Sequence, residues 1–155
     1  MQGDPKMIEA LNARLAEELS AISQYTVHAE MLENWHYGKL HDPVWQRAIT
    51  EMKHAESLID RILYLEGRPM VSALNPLHIG ALVPDMHKND LGHEYAAVRG
   101  YNDSIKLATE VGDNGSKKLL EAILEQEEEH VDWLEAQLEQ IGQTGLENYL
   151  AEQIG

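Results

Sequence analysis

The feature that most constrains this chain is a spacing. A shift of 76 residues carries Glu51 onto Glu127 and His54 onto His130, and the same shift carries Glu18 onto Glu94 and Tyr25 onto Tyr101. Each half therefore reads as a glutamate, 32 intervening residues, then E-x-x-H, as though one helical hairpin had been used twice. On a helix, residues three apart stand one turn from each other on nearly the same face. The short motif alone says little: 19 Glu and 8 His in 155 residues produce about one E-x-x-H by chance. Three occur, and the third, Glu33 with His36, falls at a helix end and reads as surface.

The frame around this repeat is helical. Apolar residues recur at helical spacing in four long segments, at about 4–35, 43–66, 84–111 and from about 116 onward. Their stripes are Ile8, Leu11, Leu15, Ile22, Tyr25, Ala29 and Leu32; Val44, Ala48, Ala55, Leu58, Ile62 and Leu65; Leu91, Val98, Tyr101, Ile105 and Ala108; and Leu120, Ile123, Val131, Leu134, Leu138 and Ile141. Asp4-Pro5 supplies a cap and a first-turn proline, Gly67 closes the second segment, and a turn at 112–115 separates the third from the fourth. Residues 67–83, interrupted by Pro69, Pro76 and Gly80, can reach about 56 Å extended, more than the roughly 45 Å of a 30-residue helix. The pattern predicts one all-α domain over 1–155: a four-helix bundle with one long crossover whose apolar residues lie against it. A short fifth helix carries Leu146, Tyr149, Leu150 and Ile154. That tail is too short to be stable alone and is expected to pack with copies of itself around a symmetry axis.

Each stripe is broken at its centre by a glutamate: Glu18, Glu51, Glu94 and Glu127. Glu17 and Glu128 fall off the stripes and read as solvated residues. Four carboxylates facing one apolar interior cannot all remain ionised and unpaired. No stripe offers a Lys or Arg partner, so metal is the economical answer. Two hairpins related by a pseudo-two-fold would place four Glu and two His around a pair of metals about 3.5–4 Å apart. Composition agrees. With 27 Asp and Glu against 12 Lys and Arg, the net charge of −15 favours cations over nucleic acid. The absence of cysteine excludes disulfides, thiolate zinc and iron–sulfur centres. No presequence or long apolar span is read, so a cytoplasmic protein with no membrane partner is expected.

Several stretches, EELSAISQY, EMKHAE, RILYLEG, LHIGALV, EEEHVDWLEAQL and GLENYL, resemble the bacterioferritins, and the likeness extends over the whole chain. The resemblance implies a ferritin-like fold and a hollow cage of 24 copies. It also implies iron storage, with oxidation of Fe(II) by O2 or H2O2 at an intrasubunit di-iron ferroxidase centre. By the same likeness Glu18 and Glu94 would be terminal ligands, Glu51 and Glu127 bridges, and His54 and His130 would each cap one iron. Tyr25 would supply an electron, or serve as a core tyrosine bonded to a ligand. Haem b would lie between two-fold-related copies, with Met52 of each as axial ligand and Leu19, Ile22 and Trp45 as walls. Met52 is rotated roughly 100° from Glu51 and so points outward. A ferredoxin-type reductant would serve iron release. Some bacterioferritins carry an interior iron site where this chain has Gln46 and Thr50, poorer ligands beside Arg47. Competing readings are a peroxide-detoxifying ferritin-like protein and, from another class, a non-enzymatic haem or electron-carrier bundle. The oxidant, and whether the cage mixes two kinds of subunit, stay open at this point.

Overall fold

The computed structural model describes residues 1–155, and its order is α1 (Pro5–Asn34), α2 (Gly38–Tyr64), α3 (Val83–Glu110), α4 (Asn114–Thr144) and α5 (Leu146–Ala151). Helices α1 and α2 form one hairpin and α3 and α4 the other, and the hairpins meet mainly through α1 and α3. The long connection runs from the end of α2 to the start of α3, as expected for a bundle with one crossover. No helix is long and apolar enough to cross a membrane.

The helix ends follow from local chemistry. Asp4 caps α1 by accepting the amides of Lys6 and Met7, with Pro5 in the first turn where no amide is required. The second helix begins at Gly38, five residues before Pro43, earlier than its apolar pattern suggests. That extra turn buries Leu40 and receives a bond from the tail, Lys39 N–H to the Gln153 carbonyl at 3.1 Å. The stop of α2 also differs from expectation. Glu66, not Gly67, takes the left-handed conformation (φ 61°), and the Gly67 amide returns to the Ile62 carbonyl at 2.9 Å. Glycine is needed at 67 for closeness instead: a Cβ there would lie 2.7 Å from Ile8.

The buried apolar residues divide into two clusters. One holds Met7, Leu11, Leu15, Leu58, Ile62, Tyr101 and Leu120; the other holds Ala21, Tyr25, Leu32, Leu40, Val44, Met86 and Tyr149. Along every long helix a stripe glutamate lies between its contributions to one end of the bundle and to the other, so a polar layer crosses the middle of the core. In α3 the buried line is rotated from the apolar stripe. Asp90, Glu94, Ala97, Tyr101, Ser104 and Ala108 are buried, while Leu91, Val98 and Ile105 are half-buried on the flank. Polar partners from α1 make this possible: His28 Nδ1 stands 2.9 Å from Asp90, and Arg14 reaches Ser104 at 2.8 Å and the Gly100 carbonyl.

The crossover does not bury its apolar side chains. Met70, Val71, Leu74, Leu77 and Ile79 are exposed. Its backbone is held instead by a polar row on α1. The amides of Met70, Asn75, His78 and Gly80 donate to Asn12, Ser20, Gln24 and His28 at 2.8–3.0 Å. An extended segment without sheet partners must satisfy its amides somewhere, and α1 presents one acceptor to each of these four. The tail is tied to its own bundle as well. Tyr149 is buried in its own chain, 3.0 Å from His87 Nε2 and donating to Gln137 at 2.6 Å, so α5 is anchored within the subunit.

Candidate metal centre

Glu18, Glu51, Glu94 and Glu127 are each at most 2% exposed and converge on one point between the two apolar clusters. His54 and His130 join them one turn past Glu51 and Glu127, both turning Nδ1 inward. Two overlapping sets come within metal-chelating reach: Glu18, Glu51, His54 and Glu127, and Glu51, Glu94 and His130. These are the six residues singled out by the repeat.

The pseudo-two-fold extends beyond these six residues. Tyr101 O–H donates to Glu18 at 2.5 Å, and Tyr25 O–H donates to Glu94. The 76-residue shift exchanges these two bonds with each other. Both phenols are fully buried, and burial, reinforced by the adjacent carboxylates, pushes both pKa values well above the ordinary tyrosine value. They are donors, not anions. Tyr25 also meets the His130 ring edge-on with centroids 5.4 Å apart.

The electrostatics show a site with more negative charge than its surroundings can neutralise. Burial, and then the Glu51 carboxylate, raises the Glu18 pKa well above the usual range. Burial with the charges of Glu51, Glu94 and Glu18 does the same to Glu127. For Glu51 and Glu94 burial also opposes the charged form, but hydrogen bonds and nearby cations outweigh it and both pKa values are lowered. Burial lowers the His54 pKa, yet bonds to Glu127 and Glu51 dominate and bring it up to about 10. The surroundings thus favour the neutral form of two carboxylates and the charged form of one imidazole, the compensation expected when like charges share a low-dielectric pocket.

The donor set fits a pair of cations. Five inward-facing atoms, one oxygen on each of the four carboxylates and Nδ1 of His130, are buried without a well-directed hydrogen bond; their nearest polar neighbours are ionic contacts to one another, to His54 and to Arg47 at 2.7–3.7 Å. Buried polar atoms are rarely left without a directed bond, and five that converge on one volume suit a bound cation. His54 Nε2 faces the Gln126 side-chain oxygen, which orients the ring and leaves Nδ1 for a metal. Carboxylate and imidazole are a suitable set for iron in both oxidation states.

Two expectations from the sequence are overturned here. Arg47, one position before the stripe residue Ala48, reaches into the centre. Its Nε lies 2.7 Å from Glu51, and Nη2 lies 3.0 Å from Glu127 and 3.7 Å from Glu94, so the carboxylates do have an arginine partner. Glu17 is not solvated either. Arg14 holds both its oxygens at 2.8–2.9 Å, and burial, opposed by Arg14, brings its pKa up to about 7. Helical position could have flagged Arg47, which is four residues before Glu51.

Among the other residues of interest, Met52 and Trp45 are exposed on the outer side of α2, at 52% and 41%. Leu19 and Ile22 are partly buried against the Met7–Leu120 cluster, so their free surface is limited. Gln46 and Thr50 line a shallow depression of about 260 Å³ with Arg47, Glu129, His130 and Trp133, beside the carboxylates and opening to the surface.

Comparison with known proteins agrees with this geometry. The ferritin-like domain family matches residues 8–144. The chain is 40% identical over 149 residues to the bacterioferritin of Brucella melitensis, covering 96% of this chain and 92% of that one. It is 40% identical to the bacterioferritin of Mycobacterium leprae, over 98% and 96% of the two chains. With that of Rhodobacter capsulatus it shares 44% identity over 138 residues, 89% and 86% of the two. Four buried carboxylates, two inward imidazoles and a bundle with one crossover thus meet full-length similarity, and the chain belongs to the bacterioferritin family of ferritin-like proteins.

Proposed function

We propose that this chain stores iron, taking Fe(II) as substrate at the six-residue centre, oxidising it to Fe(III), and delivering it to the interior of a closed shell of copies. The observation that carries this reading is the convergence of four buried carboxylates and two inward imidazoles in two overlapping sets within chelating reach. Two Fe(II) bound there hold the two electrons that reduce O2 to H2O2, or H2O2 to two waters, with protons taken up in either case. The chain's own contribution is position and charge. Glu18, Glu51, Glu94 and Glu127 supply negative charge that favours the higher oxidation state, and His54 and His130 supply neutral donors. Tyr25 and Tyr101 fix one terminal carboxylate each, and the contact of Tyr25 with Glu94 and His130 suits it to supply a further electron.

The assembly belongs to the same reading. A shell of 24 copies suits family membership, and the exposed crossover side chains supply apolar surface for neighbours. Haem b would sit between two-fold-related copies, where the exposed Met52 of each would hold the iron through its thioether, with exposed Trp45 on the same helix. Electron passage during iron release is the role assigned to it.

Glu94→Ala tests the centre. Initial Fe(II) oxidation under air, followed by absorbance, should fall to the uncatalysed rate while far-UV circular dichroism stays helical. An unchanged initial rate in a folded variant would remove the assignment.

A further inference from the structure

The two bridging-type carboxylates are shared in a regular way. Glu51 turns Oε2 to His54 at 3.3 Å and Oε1 to Arg47 at 2.7 Å. Glu127 turns Oε1 to His54 at 3.3 Å and Oε2 to Arg47 at 3.0 Å. One oxygen of each thus faces the Glu18–His54 side, and the other faces the guanidinium. Arg47 also approaches Glu94, which itself contacts His130 at 3.2 Å. The guanidinium therefore lies among Glu51, Glu94 and Glu127, and two of these belong to the Glu51–Glu94–His130 chelating set. The repeat does not reproduce it: the 76-residue counterpart of Arg47 is Ile123, an apolar core residue. The site is symmetric in its ligands and asymmetric in its fixed cation.

Resting on the two-metal reading above, we propose that Arg47 is a built-in counter-cation that holds the Glu51–Glu94–His130 position against its metal, so that the two positions fill unequally. The Glu18–Glu51–His54–Glu127 position fills first. The second metal must displace the guanidinium, because four carboxylates already balance two divalent cations and a further buried positive charge would be uncompensated. A place for the displaced group is at hand. Arg47 lines the depression that opens to the surface beside Glu129, an exposed carboxylate able to receive it. Its long flexible stem allows that movement without a change in the helix. While the guanidinium is in, it satisfies the carboxylates and keeps the centre ordered; once it is out, the second position is competent. Arg47 is thus a positioning residue that sets the order of loading.

The test is titration of the metal-free, assembled protein with Co2+ alone, read by its d–d absorption and by calorimetry, with the thermal midpoint of the metal-free form recorded alongside. Wild type should bind two Co2+ per chain in two separated steps. In Arg47→Gln the second step should tighten by about tenfold or more, the factor expected when a competing arrangement held about nine-tenths of the population. The metal-free variant should melt at a lower temperature. Repulsion between the two cations is common to both proteins and cancels in the comparison. A purely structural arginine would lower the midpoint without moving the gap between steps, and that result overturns the proposal. Should Arg47→Gln not fold, Arg47→Lys takes its place: one ammonium cannot contact three carboxylates at once, so the gap should narrow, and an unchanged gap overturns the proposal. Wild type binding no Co2+ at this centre would remove the two-metal reading itself. Two bound Co2+ with an Arg47-independent gap removes only the role given to Arg47.

Discussion

Part of the acid sensitivity of this fold should come from His87, a histidine separated from the candidate metal centre by Trp133. Tyr149 spends its single proton on Gln137, so His87 must carry hydrogen on Nε2 to bond the Tyr149 oxygen, leaving Nδ1 bare. That Nδ1 is buried with no partner, and the ring packs edge-on against Trp133 and Tyr149. A second proton would therefore be buried without an acceptor. Burial, with smaller repulsion from His28 and His130, accordingly depresses the His87 pKa from 6.5 to about 4. The folded-state value is the lower one, so between about 6.5 and about 4 the unfolded chain holds a proton that the folded chain lacks. Stability is fully present above the upper value and declines as pH falls through that window, by about 1.4 kcal/mol per pH unit and on the order of 3 kcal/mol in all. The perturbation is His87→Gln, whose amide can still bond Tyr149 but does not titrate. Urea unfolding of both proteins at pH 4.5–7.5, at one fixed protein concentration and with light scattering to register dissociation, isolates the contribution as a difference of slopes. Fluorescence recorded in a background with Trp35 and Trp45 replaced by Phe reports the packing of Trp133 against His87. The two stability curves should converge toward acid pH. Parallel curves would show that His87 titrates normally, and the argument from its bare Nδ1 would fail.

Met52→Leu should lose haem while keeping its assembly and its Fe(II) oxidation rate; a six-coordinate haem spectrum surviving in that variant would refute Met52 as the ligand. Gln24→Leu deletes both the acceptor for the His78 amide and a donor to buried Asp90, two losses worth about 1–3 kcal/mol each at a buried site. Hydrogen exchange at His78 and Gly80 should accelerate well beyond that at Met70, and equal protection along the whole crossover would contradict the row of acceptors on α1.

The buried carboxylate cluster was legible because a lone carboxylate on an apolar stripe is energetically expensive, and expense shows in sequence as an interruption. The 76-residue repeat then paired the interruptions across the bundle. Arg47 was not legible in that way. Arg47 stands four residues before Glu51 on the same helix face, but a stripe traced through apolar residues passes over it in favour of Ala48, and its long stem then carries the charge inward. Glu17 escaped for a related reason: it lies off the apolar stripe but pairs with Arg14 one turn earlier, and it shares a depression with Asn75, Pro76 and His78 of the crossover. The rotation of α3 escaped as well, because Asp90 and Ser104 are made tolerable by His28 and Arg14 on another helix. Single-helix patterns detect apolar burial. They do not detect polar burial arranged between helices.

The row Asn12, Ser20, Gln24 and His28 has a consequence for how this chain tolerates change. The course of the crossover is encoded in α1, since what α1 recognises is backbone amides and not side chains. Replacing Val71, Leu74, Leu77 or Ile79 leaves every one of those bonds in place, so the outer surface of the crossover can diversify while its path does not. Gly80 is the exception, because a Cβ there would fall 2.3 Å from the Met86 amide nitrogen. Insertions behave oppositely. One residue added between 70 and 75 would move three later amides out of step with their acceptors at once. The segment is open to substitution and closed to changes of length, so mutational drift there can reshape what the subunit presents to its neighbours without disturbing how it folds.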